Sequence, residues 1–183
     1  MLLVYCIFAA VLLGYLTGGR LGNYINAPLN MVLLPSIAFL IEASFGLLSN
    51  QSTIPASIWL PCAVCAEYII LALFVWVNRH YRGVKLLGIS TAVNFAAMAV
   101  NGFRMPVSPL IYNYPEMAGF IERIESGRLA EYILVDWNAP LWFLGDTIPL
   151  FSGLASVGDL LMAAALFLII FFMMKAKPVQ SEA

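Results

Sequence analysis

Acidic residues inside apolar segments are the first candidates for chemistry in this chain. Glu67 lies near the middle of the apolar segment 57–77, and Glu42 lies in the second half of the apolar segment 31–48. Charged groups at membrane depth cost free energy, so they usually face a cavity, a partner or the interior of a helix bundle. Each carboxyl is therefore expected either to bind a proton or cation, or to be protonated and hydrogen-bond a neighbouring helix.

A polar face on the next apolar segment, 86–100, offers neutral contacts. Ser90, Asn94, Ala97 and Asn101 occur at positions i, i+4, i+7 and i+11, so at about 100° per residue they project from one side of a helix. Small and polar residues commonly pack helices together in lipid. Two interpretations follow, namely helix packing or the polar lining of a small cavity.

That apolar segment stops abruptly at the sequence NGFRMP. Gly102 suits the left-handed C-cap of a helix, and Pro106 prevents the helix from continuing. Neither role explains Arg104, a cation on the side of the membrane that normally lacks basic residues. We expect Arg104 to pair with Asp146, with Asp159 or with a bound anion.

The two aspartates differ in their local sequence. Asp159 follows Ser156 by three residues, which is the spacing of a capping box, and an acidic group there also favours the helix dipole. Asp146 lies in 138–156, an apolar segment that two prolines interrupt. Asp159 therefore has a sufficient structural explanation, whereas Asp146 does not.

Cysteines suggest a less favoured alternative. Cys62 and Cys65 form a C-x-x-C pair near one end of segment 57–77, with Cys6 near the same end of the first segment. Such pairs are typical of thiol oxidases that pass electrons to quinone in an oxidising compartment. Those enzymes need a second pair for substrate exchange, and buried cysteine is also an ordinary small apolar residue. No zinc-type spacing, nucleophile–base pair or phosphate loop occurs, so no catalytic residue, metal site or identifiable cofactor is predicted.

The overall composition predicts an integral membrane protein. Of the 183 residues, 62% are hydrophobic and 10% are charged, with a mean hydropathy of +0.91, whereas soluble domains carry about 25% charged residues. The net charge of −1 argues against a nucleic-acid partner. Five segments approach the length needed to span a bilayer: 1–16, 31–48, 57–77, 86–100 and 157–174. We predict an all-α polytopic helical bundle forming a single domain over 1–176, followed by a short polar tail, 177–183.

The distribution of basic residues predicts the orientation. With the N-terminus outside and the C-terminus inside, more basic residues lie inside than outside, as the positive-inside rule requires. The inside set is Arg20, Arg79, Arg82, Lys85, Lys175 and Lys177, and the outside set is Arg104, Arg123 and Arg128. Residues 106–155 then form an outer cap.

Two kinds of local structure are expected within that cap. The sequence pattern of residues 115–136 predicts one or two short amphipathic helices on the membrane surface. Residues 138–156 predict a re-entrant or interfacial segment, anchored by Trp137, Trp142 and Phe143.

The chain resembles a family of small bacterial integral membrane proteins that is classed as a domain of unknown function. The resemblance rests on NG-x-x-MP and GD-x-IPL motifs, with GGRLGN and SVGD as further similarities. The motif positions are Asn101, Gly102, Met105, Pro106, Gly145, Asp146, Ile148, Pro149 and Leu150. Phe103 departs from the family, whose members often carry a second glycine there. The resemblance implies a multi-pass protein of a bacterial cell membrane, and it implies no activity.

The leading functional hypothesis is a membrane protein that handles a small ligand or ion, such as a small transporter or a substrate-binding membrane subunit. The predicted ligand-binding residues are polar groups in apolar or outer-face segments: Glu42, Glu67, Asn94, Asn101, Arg104, Asp146 and Asp159. The alternative is a structural or accessory subunit that packs against a membrane partner. A water-accessible cavity within one chain favours the first hypothesis, and a lipid-facing polar stripe favours the second.

Overall fold

The protein is described by a computed structural model that covers residues 2–25, 29–51, 54–150 and 153–176. The fold is mostly helical, with 69% of residues in helices. The α-helices are α1 (Leu2–Leu16), α2 (Leu21–Ile25), α3 (Leu33–Gln51), α4 (Ala56–Asn78), α5 (Val84–Val100), α6 (Ala118–Glu125) and α7 (Val157–Lys175). The strands are β1 (Met105–Val107), β2 (Tyr132–Leu134), β3 (Ile148–Leu150) and β4 (Gly153–Ala155).

All five apolar segments that the sequence predicts as spans are helices. Their bounds agree with α1, α3, α4, α5 and α7 to within a few residues at either end, because a helix satisfies the backbone hydrogen bonds of a long apolar stretch within the stretch itself. The short helix α2 was not predicted. The predicted polar tail, 177–183, lies outside the described residues.

The five long helices pack in a spatial order that differs from their order in the chain. Helix α1 packs on α7, α7 on α5, α5 on α4, and α4 on α3. Helix α7 is therefore central although it is last in sequence. The helices α1 and α3 lie at the two ends of this row. Both contribute side chains, Leu3 and Glu42 among them, to the wall of one cavity.

The bundle has small apolar cores and a larger apolar exterior. One core joins α4, α5 and α7 around Phe74, Leu87 and Ile169, and a second joins α3, α4 and α5 around Phe45 and Leu60. Large apolar side chains also point outward on α1, α3 and α4: Phe8, Leu16, Leu33, Leu40, Ile69 and Trp76. Such an exterior would be costly in water and is favourable in lipid.

Basic residues collect at one end of the bundle. The backbone N–H of Arg20 donates to the carbonyl oxygen of Met174 at 2.9 Å, which joins the end of α1 to the end of α7. The guanidinium of Arg79 lies 4.3 Å from the centre of the Trp76 ring, and the guanidinium of Arg82 lies 4.8 Å from the centre of the Phe172 ring. The aliphatic parts of the Arg79 and Arg82 side chains thus lie along apolar surface, and their charged groups lie toward the end of the bundle.

At the opposite end, α5 terminates in the predicted glycine C-cap. Gly102 has a left-handed φ of 69°, and the Phe103 N–H donates to the Met98 carbonyl oxygen at 2.8 Å, as in a Schellman motif. Phe103 itself has a φ of 61°, a conformation that favours glycine. A glycine at this position would adopt the same conformation without strain.

The cap, residues 106–155, contains more β-structure than the sequence predicts. Strands β1 and β2 pair in parallel, with Met105 opposite Tyr132, and β3 and β4 form an antiparallel pair. The expected amphipathic helices are reduced to α6 and short 3-10 turns. Within the described part of 138–156 there is a 3-10 turn and the β3–β4 pair instead of a re-entrant helix. Strands of three residues are too short for alternation to reveal them.

Candidate functional site

A polar cavity of about 230 Å³ lies between the cap and the helices, on the side flanked by α1 and α3. Carboxyl groups dominate its wall, and they come from α3, α4, α7 and the cap: Glu42, Glu67, Glu131, Asp146 and Asp159. The wall also contains the neutral polar side chains Asn94, Tyr68 and Tyr132, and its remaining residues are apolar. None of the described residues that line this cavity is basic.

Of these carboxyl groups, Glu67 is the one that α4 contributes. Its residue is 7% exposed, and the carboxyl has no hydrogen-bond partner among the residues that the structure describes. Glu42 faces it from α3 and is more exposed, since it stands where this cavity meets a second one. The two glutamates thus mark the side of the cavity nearest the centre of the bundle.

A closed hydrogen-bond network fixes Asp159 and Asn94. Ser156 and Asp159 form the predicted capping box, in which the Ser156 N–H donates to Asp159 Oδ2 at 3.0 Å and the Asp159 N–H donates to Ser156 Oγ at 2.9 Å. Asn94 Nδ2 donates to Asp159 Oδ1 at 3.2 Å, and Ser156 Oγ donates to Asn94 Oδ1 at 2.9 Å. Both oxygens of Asp159 are therefore already occupied, although the residue borders the cavity.

The polar face of α5 serves packing and cavity lining together. Ser90 Oγ donates to the Gly158 carbonyl oxygen at 2.8 Å. A Cβ atom at Gly158 would overlap the Asn94 amide, so glycine is required for α5 and α7 to approach this closely. Ala97 is fully buried. Among the four residues of the predicted polar face of α5, Asn94 is the one that lines the cavity.

Asp146 is positioned by strand pairing in the cap. Its N–H donates to the Pro106 carbonyl oxygen at 2.9 Å, and its carbonyl oxygen accepts from the Ser108 N–H at 3.0 Å. A Cβ atom at Gly145 would overlap the Pro106 backbone. The sequence elements around Pro106 and Asp146 therefore form one structural unit, which explains why a glycine precedes the aspartate.

The Asp146 side chain differs from that of Asp159 in having no hydrogen-bond partner within the described chain. The residue is 7% exposed. Burial, and secondly the nearby negative charge of Asp159, raise the pKa of Asp146 from 3.8 to about 8. A carboxyl with such a pKa exchanges its proton near neutral pH, so this group can hold either a proton or a cation.

Glu131 and Tyr132 also line the cavity and were not predicted. Parallel pairing places them there, since the Met105 N–H donates to the Glu131 carbonyl oxygen at 2.7 Å. Glu131 Oε2 is buried without a hydrogen-bond partner in the described structure, and burial raises the pKa of both side chains. The signal that was available is the turn at Gly127 followed by the short β-prone run EYILV, which resembles a strand more than an amphipathic helix.

Two predicted ligand-binding residues lie outside the cavity wall. Asn101 Nδ2 donates to the carbonyl oxygens of Ala97 at 2.7 Å and Pro140 at 2.8 Å, which ties the end of α5 to the cap. Arg104 forms no ion pair with Asp146 or Asp159 in the described structure. Met105 lines the cavity, whereas Arg104 lies in the turn before β1 and does not line it.

The cysteines are free thiols. Cys62 is exposed on α4, whereas Cys65 lines an apolar groove of about 480 Å³ between α4 and α5. Cys6 lies on α1, which packs against α7. The redox hypothesis stays a prediction.

The carboxyl groups surround the cavity without converging on one point. Within the described ranges, no three or more His, Cys, Asp or Glu side chains come together as a group that could hold a metal ion. Desolvated metal ions need several ligands at about 2.0–2.6 Å.

Comparison with known proteins identifies a family. No curated protein and no solved structure matches the chain. The profile of a family of unknown function, DUF5317, matches residues 26–171, so the resemblance inferred from the sequence is confirmed and the chain belongs to this family.

Proposed function

We propose that this chain is a polytopic membrane protein that binds a cation in the acidic cavity beneath its cap. The membrane part of the proposal is supported first by the helices. Two of them, Ala56–Asn78 and Val157–Lys175, are long and apolar enough to cross a membrane. Three shorter apolar helices, Leu2–Leu16, Leu33–Ser49 and Val84–Val100, run beside them. Their exposed apolar side chains favour five spans over a soluble bundle, whose helices bury that face.

Charge segregation supports an outer location for the cap. The described basic residues Arg20, Arg79, Arg82, Lys85 and Lys175 lie at the end opposite the cap. Trp137 and Phe143 are exposed on the cap, where aromatic side chains favour the membrane–water boundary. We therefore place the cap and the N-terminus outside and the C-terminus inside.

The observation that carries the ligand proposal is the set of five carboxyl groups around one cavity whose described wall contains no basic residue. Carboxylates that face one cavity repel one another, and the two that are buried, Glu67 and Asp146, also lose hydration. A bound cation relieves both costs, whereas a bound anion increases them. Asp146 and Glu67 are buried and have no hydrogen-bond donor among the described residues, so they are the expected direct contacts.

A binding titration tests the proposal. The purified protein, in lipid nanodiscs, is titrated calorimetrically with methylammonium, sodium, potassium, calcium and, as an anionic control, acetate. We expect saturable binding of at least one cation and none of acetate. Asp146→Asn and Glu67→Gln should each weaken cation binding at least tenfold, while Glu125→Gln, which removes an exposed carboxyl of α6, should leave it unchanged. Acetate binding, or cation binding insensitive to both variants, would overturn the proposal.

A second proposal, an accessory membrane subunit, is favoured by one observation. The apolar groove between α4 and α5 is lined by small side chains at Ala72, Gly88 and Ala92, beside Ile69 and Trp76, and small residues let a partner helix approach closely. The polar face of α5 is buried inside the chain, however, and so does not supply the lipid-facing polar stripe that this proposal expects. Co-purification of a stoichiometric partner chain that is lost in Ala92→Leu, a change at an exposed position of the groove, would support it.

A further inference from the structure

A second cavity continues from the acidic one toward the basic end of the bundle. It has a volume of about 410 Å³, and the two cavities share Leu3, Glu42, Glu67, Leu71 and Met162 in their walls. Glu42 and Glu67 therefore stand at the junction. The two cavities are therefore adjacent and meet at these shared side chains.

The two halves of this site differ in chemistry. Beyond the junction the wall is apolar, with Ala38, Phe74, Leu87 and Ile169 among its residues. Glu42 and Glu67 are its only charged members within the described chain. The cap half contains the remaining carboxyl groups together with Tyr68 and Tyr132.

We propose that the ligand is an amphipathic organic ammonium ion, with its charged head among the carboxyl groups and its hydrocarbon tail in the apolar half. This inference rests on the proposed function, which it makes more specific. The head is assigned from Asp146 and Glu67, whose carboxyl groups are buried, lack hydrogen-bond partners within the described residues and face the cavity. Aromatic side chains beside them are also suited to an ammonium group.

The tail is assigned from the continuity of the two cavities and from their charge. A phospholipid tail would bring a phosphate toward the acidic half, where the carboxyl groups would repel it. A bare metal ion would leave the apolar half without a function and would find no convergent ligand set. The volumes, about 230 and 410 Å³, together fall within the range of about 300–1,000 Å³ for small-molecule sites.

The experiment compares n-alkylammonium ions of increasing chain length. Methyl-, butyl-, hexyl- and octylammonium are titrated into the protein in nanodiscs, and binding to empty nanodiscs is subtracted. Each methylene that enters the apolar half should tighten binding about fourfold, until the cavity is filled. The head contact is checked with Asp146→Asn, which should weaken binding of every member by a similar factor.

Two matched variants separate the tail contact from general effects on the membrane. Val32 lines the apolar half, so Val32→Trp should flatten the dependence on chain length and leave methylammonium affinity within twofold. Leu40 is 66% exposed and faces away from the cavities, so Leu40→Trp should preserve the dependence.

The outcomes distinguish this inference from the proposed function. If methylammonium binds in an Asp146-dependent manner but chain length has no effect beyond empty nanodiscs, the cation site stands and the amphipathic ligand is rejected. If an acidic phospholipid competes with octylammonium and Val32→Trp weakens its binding, a lipid occupies the apolar half and the inference is rejected. If neither ammonium nor metal ions bind, both proposals fail.

Discussion

Asp146 and Asp159 show how two aspartates in one cavity acquire different functions. Asp159 accepts hydrogen bonds from Asn94 and from the Ser156 N–H, so its charge is satisfied within the protein. Asp146 is buried without a donor, and burial raises its pKa to about 8. The same residue type is therefore structural at one position and available to a ligand at the other, because hydrogen bonding to the ionised form differs.

Cation binding should depend on pH through Asp146. Below a pH of about 8 this carboxyl is mainly protonated, so a cation must displace its proton. We expect affinity to rise with pH up to about 8 and to level off above it, with proton release on binding. The other carboxyl groups of the cavity wall, which are Glu42, Glu67, Glu131 and Asp159, stay present in Asp146→Asn. That variant should therefore make the profile shallower without abolishing it, as measured by titration in buffers of different ionisation enthalpy.

Asp146 should also make stability depend on pH, with the opposite sign. Its folded-state pKa, about 8, exceeds the ordinary value of 3.8, so the folded protein holds more protons than the unfolded one between these values. The free energy of unfolding contributed by this group is therefore greatest below the ordinary pKa and falls as pH rises to about 8. In the absence of ligand, Tm should fall over this window, and less steeply in Asp146→Asn. A Tm that rises over the window only in the wild type would contradict the assignment.

Asn101 distinguishes a structural amide from a binding one. Asn101→Ala removes the hydrogen bonds to the Ala97 and Pro140 carbonyl oxygens, at a cost of about 1–2 kcal/mol. We expect a lower Tm and a cation affinity within twofold of the wild type. A large loss of affinity at unchanged Tm would return Asn101 to the binding site.

At the scale of elements, the contact between α5 and α7 determines where Asn94 and Asp159 lie. Gly158→Ala would force its Cβ into the Asn94 amide, and overpacking of this kind costs about 1–3 kcal/mol. For a chain of this size Tm should fall by roughly 2–12 °C. The matched control is Gly119→Ala in α6, where an added Cβ meets no atom within 4 Å. Equal Tm values for the two variants would show that the helices are farther apart than described.

The long helices could be predicted from the sequence, and the geometry of the cap could not. Apolar runs such as 57–77 determine helices locally. Glu131 reaches the cavity through parallel pairing of β1 with β2, which joins segments distant in the chain and leaves no local period. Asn101 shares a helical face with Asn94, but it lies next to the turn at Gly102, and its side-chain amide donates to the Pro140 carbonyl oxygen. The spacing of residues along the sequence thus identified the candidate polar side chains, whereas contacts between distant segments determined which of them line the cavity.

At the scale of the whole molecule, the proposed orientation places the acidic cavity near the outer surface and the apolar half deeper in the membrane. A green fluorescent protein fused after Ala176 should fluoresce in cells, and alkaline phosphatase fused there should be inactive, because that end is inside. Alkaline phosphatase inserted between Gly119 and Phe120 in the cap should be active. The reverse pattern would contradict the orientation, and activity at both sites would contradict α7 as a single span between the cap and Ala176.

The arrangement of the five long helices suggests how a ligand could enter. Helices α1 and α3 flank the open side of the row, and Leu3 and Glu42 both contribute to the cavity wall there. An amphipathic cation that is already inserted in the outer leaflet has its head at the depth of the cap and its tail at the depth of the apolar half. Entry between α1 and α3 would therefore require no reorientation of the ligand.

The central claim is that the cavity holds a cation, and native mass spectrometry of the protein released gently from its own membrane tests it most directly. We predict a bound small molecule that carries an ammonium group, retained by the wild type and by Glu125→Gln and lost in the double variant Asp146→Asn, Glu67→Gln. An anionic molecule in the wild type, or a stoichiometric partner chain with no small molecule, would contradict the claim.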